Sequence, residues 1–291
     1  MLIKRSLLLY FRDRQNIIFS LSAVFVMIGM YIFFLSSAQE AFLRNVFGLD
    51  PSIDIGSVMT SVVFAGMIAS TSVTSGMIGL FIFFADKTRA AKDFLTTPVS
   101  RQKLMLSYVV ASAIIGFVMT IALMLVCLLY LALNGHMISP QNFALLILTA
   151  VLTGLCANSL IFLISTIAKT ENAFGSLCSV VATVIGFMMG VYIPLGNFPE
   201  AVQWVLRMFP LSHAASMFRQ ILADDALYAI FANSTASSQE LLEFRLFFGI
   251  VFQYGDYIST FWFSAMVMVV TTVVLYGIAL MVASKGKFSV M

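Results

Sequence analysis

The chain has 291 residues, of which 61% are hydrophobic and only 10% charged, with a mean hydropathy of +1.02 and a net charge of +3. A soluble domain carries about 25% charged residues, so this composition excludes a water-soluble fold and fits a polytopic membrane protein. The three cysteines, Cys127, Cys156 and Cys178, each sit inside an apolar run, which argues against a disulfide framework or a metal cluster and for buried free thiols.

Residues 1–15 place Ile3, Leu7, Tyr10 and Phe11 at helical spacing, with Arg5 and Arg12 opposite them. That pattern predicts an interfacial amphipathic helix on an anionic leaflet, with Arg5, Leu7, Tyr10, Phe11 and Arg12 as its contact residues. A first span is expected at 17–36, long enough to cross ~30 Å of hydrocarbon. Its basic start and Ser36-Ser37-Ala38 imitate a secretory signal. The apolar run exceeds the usual ~7–15 residues, however, so a retained helix is the reading. An outer loop with Glu40, Arg44, Asp50, Pro51 and Asp54 leads to a second span at 57–84. This span is rich in small and hydroxylated residues, which either let helices approach closely or line a pathway. Thr60, Phe64, Met67, Thr71 and Thr74 fall roughly on one stripe and are the lining candidates.

Residues 85–103 interrupt the apolar runs with Asp86, Lys87, Arg89, Lys92, Asp93, Arg101 and Lys103. Asp86 can cap a short helix over 86–97, Ala90 and Ala91 favour one, and Pro98 pushes Thr97 out of the helical region. Ser100 is placed to cap the next span. One reading is an ordinary basic loop. The other, preferred because a plain linker has no need of a rigid charged helix, is a surface helix presenting Phe94 and Leu95 to another protein.

Further spans are expected at 104–133, 142–168 and 173–192, joined by a tight turn at Asn134-Gly135-His136 and a short loop from Lys169 to Asn172. Residues 194–258 form an outer region in which Pro199, Arg207, Pro210 and Arg219 break an apolar stretch into pieces too short to cross. Two half-length helices meeting at Pro210, entering the membrane from outside and returning, are the expectation. A pair lying on the surface is the alternative. Ser237 to Glu240 reads as a capping box for a helix to about Gln253, and the last span is expected at 260–283. His136 and His213, at or beyond the outer edge, read as ordinary loop residues.

With both termini inside, only Arg44, Arg207, Arg219 and Arg245 of the 16 basic residues fall outside, so the positive-inside rule gives six spans with cytoplasmic ends. No Asp, Glu, Lys or Arg falls within any predicted span, which weighs against ion-coupled carriers and voltage sensors. The sequence has no Walker-type nucleotide loop, no metal-ligand spacing and no catalytic constellation. If transport is active, its energy source resides on another polypeptide. The fold class is therefore read as all-α and polytopic. It has six transmembrane helices, an N-terminal interfacial helix, a cytoplasmic crossing helix and a re-entrant outer hairpin before the last span.

This order of features resembles the permease subunit of type-2 ABC exporters. The resemblance is carried by the crossing that ends TTPVSRQKLMLSY, with Thr97 to Arg101 at its centre, and by the short loop between the fourth and fifth spans. It is carried also by FPLSHAASMFRQIL, with Pro210, Leu211 and Arg219. It implies two permeases around a central pathway, as a homodimer or a heterodimer, with two ABC ATPase subunits docked inside. ATP and magnesium would be held by those subunits and no cofactor by this chain. Residues 86–97 become a coupling helix with Lys87, Arg89, Lys92, Asp93, Phe94, Leu95, Pro98 and Arg101 as its contacts, and residues 1–15 a second contact. Pro199, Pro210, His213 and Arg219 are expected at an outer gate. Membrane lipid is a partner and nucleic acid is not.

The cargo implied is an amphiphilic drug, antimicrobial peptide or lipid, because the outer region is longer than expected for compact polysaccharide exporters. A lipid-linked polysaccharide exporter is the alternative within the family. An ATP-independent carrier or channel, or a non-transporting partner-binding subunit, is the alternative outside it. The location implied is the bacterial plasma (inner) membrane, multi-pass, with both termini cytoplasmic.

Overall fold

A computed structural model describes residues 2–15, 17–18, 22, 25, 29, 55–89, 101–135, 139–232 and 238–283. The expected first span, 17–36, and the crossing from residue 90 to 100 lie largely or wholly outside the described residues. Helix α1 (Leu2–Arg12) is followed by three long helices, α2 (Gly56–Arg89), α3 (Arg101–Leu133) and α4 (Pro140–Ile167), and by the shorter α5 (Glu171–Met188). An outer segment comes next: a 3-10 turn at Leu195–Asn197, α6 (Glu200–Met208), α7 (Pro210–Ala232) and α8 (Ser238–Phe247). A two-stranded antiparallel ribbon, β1 (Gln253–Tyr254) and β2 (Tyr257–Ile258), then leads into α9 (Phe261–Val282). Among the described residues, five helices (α2, α3, α4, α5 and α9) are long and apolar enough to cross a membrane.

Local chemistry sets several boundaries. Ser139 caps α4 by accepting from the Asn142 amide, with Pro140 at the first helical position, where a missing N–H costs nothing. Thr170 caps α5 by accepting from Ala173, and Glu171 in the first turn complements the helix dipole. Thr260 caps α9 by accepting from Phe263.

The segment between α5 and α9 follows expectation in part. Two helices do meet at Pro210, but they are unequal, α6 with 9 residues and α7 with 23. Pro210 opens α7, because proline suits a helix's first turn as well as it breaks an interior. The helix begun near Ser238 ends at Phe247, ahead of Gly249 at φ +63°, so it does not reach Gln253. Residues 253–258 instead form a ribbon turning at Gly255, which makes the described fold helical with one short hairpin.

Helix α2 is the hub, packed against α3, α4, α5 and α7. Its small residues serve close approach. A Cβ on Gly116 of α3 would stand 3.0 Å from the Ser72 carbonyl of α2. Hydroxyls join the helices at the same level. Ser72 and Thr120 share a bond of 2.7 Å, and Ser112 donates to the Gly76 carbonyl at 2.8 Å. The buried Asn158 of α4 donates to Ser112 (3.1 Å) and to the Val109 carbonyl (3.2 Å), and accepts from Tyr276 of α9 at 2.6 Å. In an apolar medium such bonds hold helices together where hydrophobic contrast with lipid is lacking.

Candidate functional site

Two clusters stand at opposite ends of α2. At the C-terminal end, expected on the inner side, the Asp86 carboxylate accepts from both terminal nitrogens of Arg5, at 2.6 and 3.0 Å, and from the Tyr108 hydroxyl at 2.6 Å. The hydrogen-bonded carboxylate pushes the Arg5 pKa further up, so the guanidinium stays charged. Deeper along α1, Tyr10 is fully buried against Ile115 and Met119 of α3, with Leu7 beside it. Leu8, Leu9 and Phe11 face away from the chain, toward lipid or a partner.

This arrangement corrects two expectations. Arg5, expected as a contact of α1 with an anionic leaflet, turns to the Asp86 carboxylate instead. Asp86 does not cap a separate helix, because α2 continues unbroken to Arg89 and leaves that side chain free to receive Arg5. Of the expected coupling contacts, Lys87 and Arg89 fall in the last turn of α2 and Arg101 opens α3. Lys92, Asp93, Phe94, Leu95 and Pro98 lie outside the described residues. Arg12 ends α1 and is exposed.

At the N-terminal end, expected on the outer side, Arg219 of α7 is 1% exposed and, among the described residues, its guanidinium bonds only to backbone carbonyls. Nε donates to Val62 of α2 at 3.2 Å, and one terminal nitrogen to Gly249 at 3.4 Å. The other donates to Met189 and, at 3.1 Å, to Gly190. Met189 and Gly190 terminate α5, and Gly249 follows the end of α8, so the negative ends of two helix dipoles converge on the cation. Gly190 and Gly249 both hold positive φ, and a Cβ on Gly190 would come within 3.0 Å of the guanidinium.

His213, one turn and a half before Arg219, is buried inside α7 rather than sitting in a loop. Its Nε2 meets the Arg207 carbonyl at 3.0 Å, which can only accept, so Nε2 carries the proton and Nδ1 accepts from the Ser264 hydroxyl at 3.0 Å. Tyr254 of the ribbon donates to the same Arg207 carbonyl at 2.6 Å. Burial pushes the His213 pKa down to about 4. Nearby, Arg245 of α8 pairs with Asp224 of α7 at 2.8 Å and lies over the Tyr228 ring, and burial pushes the Asp224 carboxyl upward.

The expected outer-gate residues thus divide. Pro199 and Pro210 stand at the starts of α6 and α7, while His213 and Arg219 are core groups that tie the segment down. The expected lining residues are packed within the single chain. Phe64, Met67 and Thr71 are buried, Thr60 and Thr74 half-buried, and the Thr60 and Thr71 hydroxyls bond to Gly56 and Met67 of their own helix at 2.8 and 2.9 Å. No group of three or more His, Cys, Asp or Glu able to hold a metal occurs among the described residues.

The family described as ABC-2 type transporter matches residues 1–223. Nodulation protein J of Bradyrhizobium diazoefficiens is 26% identical over 191 residues, which cover 62% of this chain and 71% of that protein. The matched region takes in the inner cluster, the charged crossing, the apolar helices through α5 and the Pro210–Arg219 stretch of α7. The chain belongs to the ABC-2 type transporter family, as a multi-pass membrane permease.

Proposed function

We propose that this chain is the membrane half of an ATP-driven exporter, moving an amphiphilic drug, antimicrobial peptide or lipid out of the cytoplasm or the inner leaflet. Two separate ATPase subunits supply the energy, binding ATP and magnesium and gripping the crossing over 86–97. A second permease copy completes the pathway in the plasma membrane of a bacterium, with both termini cytoplasmic. The observation that carries this reading is the length of α2. Its 34 residues span on the order of 50 Å at 1.5 Å per residue, well beyond a ~30 Å hydrocarbon core. Its last turn is therefore carried toward the aqueous side on which the crossing lies. A charged extension at the inner end of the central helix is the element a partner can push.

The peripheral helices support pairing. Val269, Val270, Val273 and Val274 of α9, and Val180 and Val184 of α5, remain exposed on the single chain, as lipid-facing or copy-facing surfaces require. Burying Phe94 and Leu95 in a cleft of the ATPase supplies the apolar anchor, while Lys87, Arg89, Lys92 and Asp93 orient it through rim charges.

The test is purification of the full chain from its native membrane, followed by assay of the ATPase that accompanies it. Leu95→Asp is expected to lower ATP turnover of the assembled complex by about tenfold or more, through loss of a central apolar anchor, while membrane insertion is unchanged. Solute movement by the purified chain alone, with no ATPase present, overturns the proposal in favour of a secondary carrier. Stable binding of an ATPase whose turnover never depends on this chain favours a non-transporting subunit.

A further inference from the structure

The inner ends of three elements meet on one carboxylate. Asp86 lies three residues before the end of α2, Arg5 comes from α1 and Tyr108 from α3. The Arg5 fork takes both carboxylate oxygens and the Tyr108 hydroxyl takes a further acceptor position on one of them, so the carboxylate is fixed in two directions. Arg5 also reaches the Tyr108 oxygen at 3.5 Å, which closes the triangle. The Arg5 side chain is 41% exposed and that of Asp86 14%. Such a pair is dry enough on the carboxylate side to hold its geometry and wet enough on the guanidinium side to be exchanged. Tyr10 supplies a second hold on α1, buried against Ile115 and Met119, so an ionic contact and an apolar one together set the orientation of α1 against α3.

We infer that Arg5, Asp86 and Tyr108 form a joint that makes α1, the inner end of α2 and the start of α3 one lever, so that a displacement of the crossing is delivered to α1 and α3 together. The inference rests on the proposed function, in which an ATPase displaces that crossing. A helix transmits an axial push with little loss, and Asp86 is within one turn of Arg89, where α2 hands over to the crossing. Without the joint, the apolar packing around Tyr10 and Leu7 is what remains among the described residues to hold α1 to the bundle, and α1 can pivot about it. Arg5, Asp86 and Tyr108 act here as positioning residues.

The experiment uses the full chain in complex with its co-purified ATPase in lipid nanodiscs, with ATP and magnesium as the probes. Spin labels are placed at Leu8 of α1, 57% exposed, and at Met281 near the inner end of α9, 59% exposed, a helix that packs on α4 and α7 rather than on α1. Nucleotide is expected to change the Leu8–Met281 distance in the parent complex. Asp86→Asn is expected to remove at least about half of that change. The double exchange Arg5→Asp with Asp86→Arg is expected to restore it, because the opposite charges again face each other. Tyr108→Phe keeps the ring against Phe83, now at 5.4 Å between centroids, and is expected to give an intermediate response. If Asp86→Asn fails to insert, Tyr108→Phe and the double exchange decide the matter. A full parent-like distance change in Asp86→Asn overturns the joint; where that variant does not insert, a full parent-like change in Tyr108→Phe, or no restoration by the double exchange, does so. A parent complex that turns over ATP with no distance change overturns the driven-lever reading itself, so the two failures are distinguishable.

Discussion

The joint at Asp86 and the knot at Arg219, at the two ends of α2, both hold a guanidinium, by opposite means. Arg5 keeps a carboxylate partner and partial contact with water, whereas Arg219 is sealed and satisfied by the carbonyls of Val62, Met189, Gly190 and Gly249. At the outer site the exposed carbonyls at two helix ends stand in for the missing anion. A carboxylate pair can be loosened by water, salt or a competing charge. Carbonyls at helix ends cannot be released without fraying the helices themselves. The comparison teaches that one permease carries a yielding contact at one end of α2 and an unyielding one at the other, where α7 is anchored to it.

The largest effect expected from breaking this contrast is at Arg219. Arg219→Met leaves several buried carbonyls without donors and is expected to cost about 3 kcal/mol or more, seen as a large fall in melting temperature in detergent. Arg219→Lys recovers little, since one ammonium cannot span acceptors on α2, α5 and the turn after α8. A melting temperature equal to that of the parent protein breaks the comparison. Next is Gly116→Ala, which sets a methyl 3.0 Å from the backbone carbonyl of Ser72, and an overpacked site of this kind costs ~1–3 kcal/mol. Its measurement separates loss of packing between α2 and α3 from loss of the knot.

Asp86→Asn is expected to cost less, ~1 kcal/mol, because the half-exposed guanidinium regains water and the amide still accepts one bond. Urea unfolding of the two variants side by side orders the joint below the knot. The smallest effect at neutral pH belongs to His213→Gln. With the folded His213 held down to about 4 against an ordinary value of 6.5, the unfolded chain takes up a proton in that interval and the folded one does not. Stability is therefore full above 6.5 and falls as pH drops toward 4. Glutamine, which offers a donor and an acceptor without titrating, flattens this slope in melts recorded across the same interval.

Particular residues show how far the sequence could be read. Helices α3, α4 and α9 each follow from an apolar run long enough to hold them, whereas the caps at Ser139 and Thr260 and the start at Pro140 were found in the structure. Such runs are local properties of the chain. The helix at residues 2–12 was equally legible, because its periodicity lies in adjacent turns. The direction Arg5 takes was not, since its partner is 81 residues away and a basic residue opposite an apolar stripe ordinarily faces water. Pro210 marks the meeting of two helices, as its chemistry suggests, but the length of the second was not legible: α7 runs on to Ala232, packed against α2, α4 and α9.

By itself, then, the amino-acid order determined a helical membrane protein, the placement of most of its apolar helices, the absence of a nucleotide loop and the charged interruption after α2. Each follows from transfer energies and helix propensities that act residue by residue. Only the tertiary structure decided which groups meet. It brought Arg219 to Val62 across 157 positions, His213 to Ser264 across 51, and turned the Ser72 hydroxyl of α2 into a helix-to-helix contact. The physical reason is that a buried polar group must find a partner within about 3 Å, and the packing of whole helices, not the composition of any one of them, sets who stands that close.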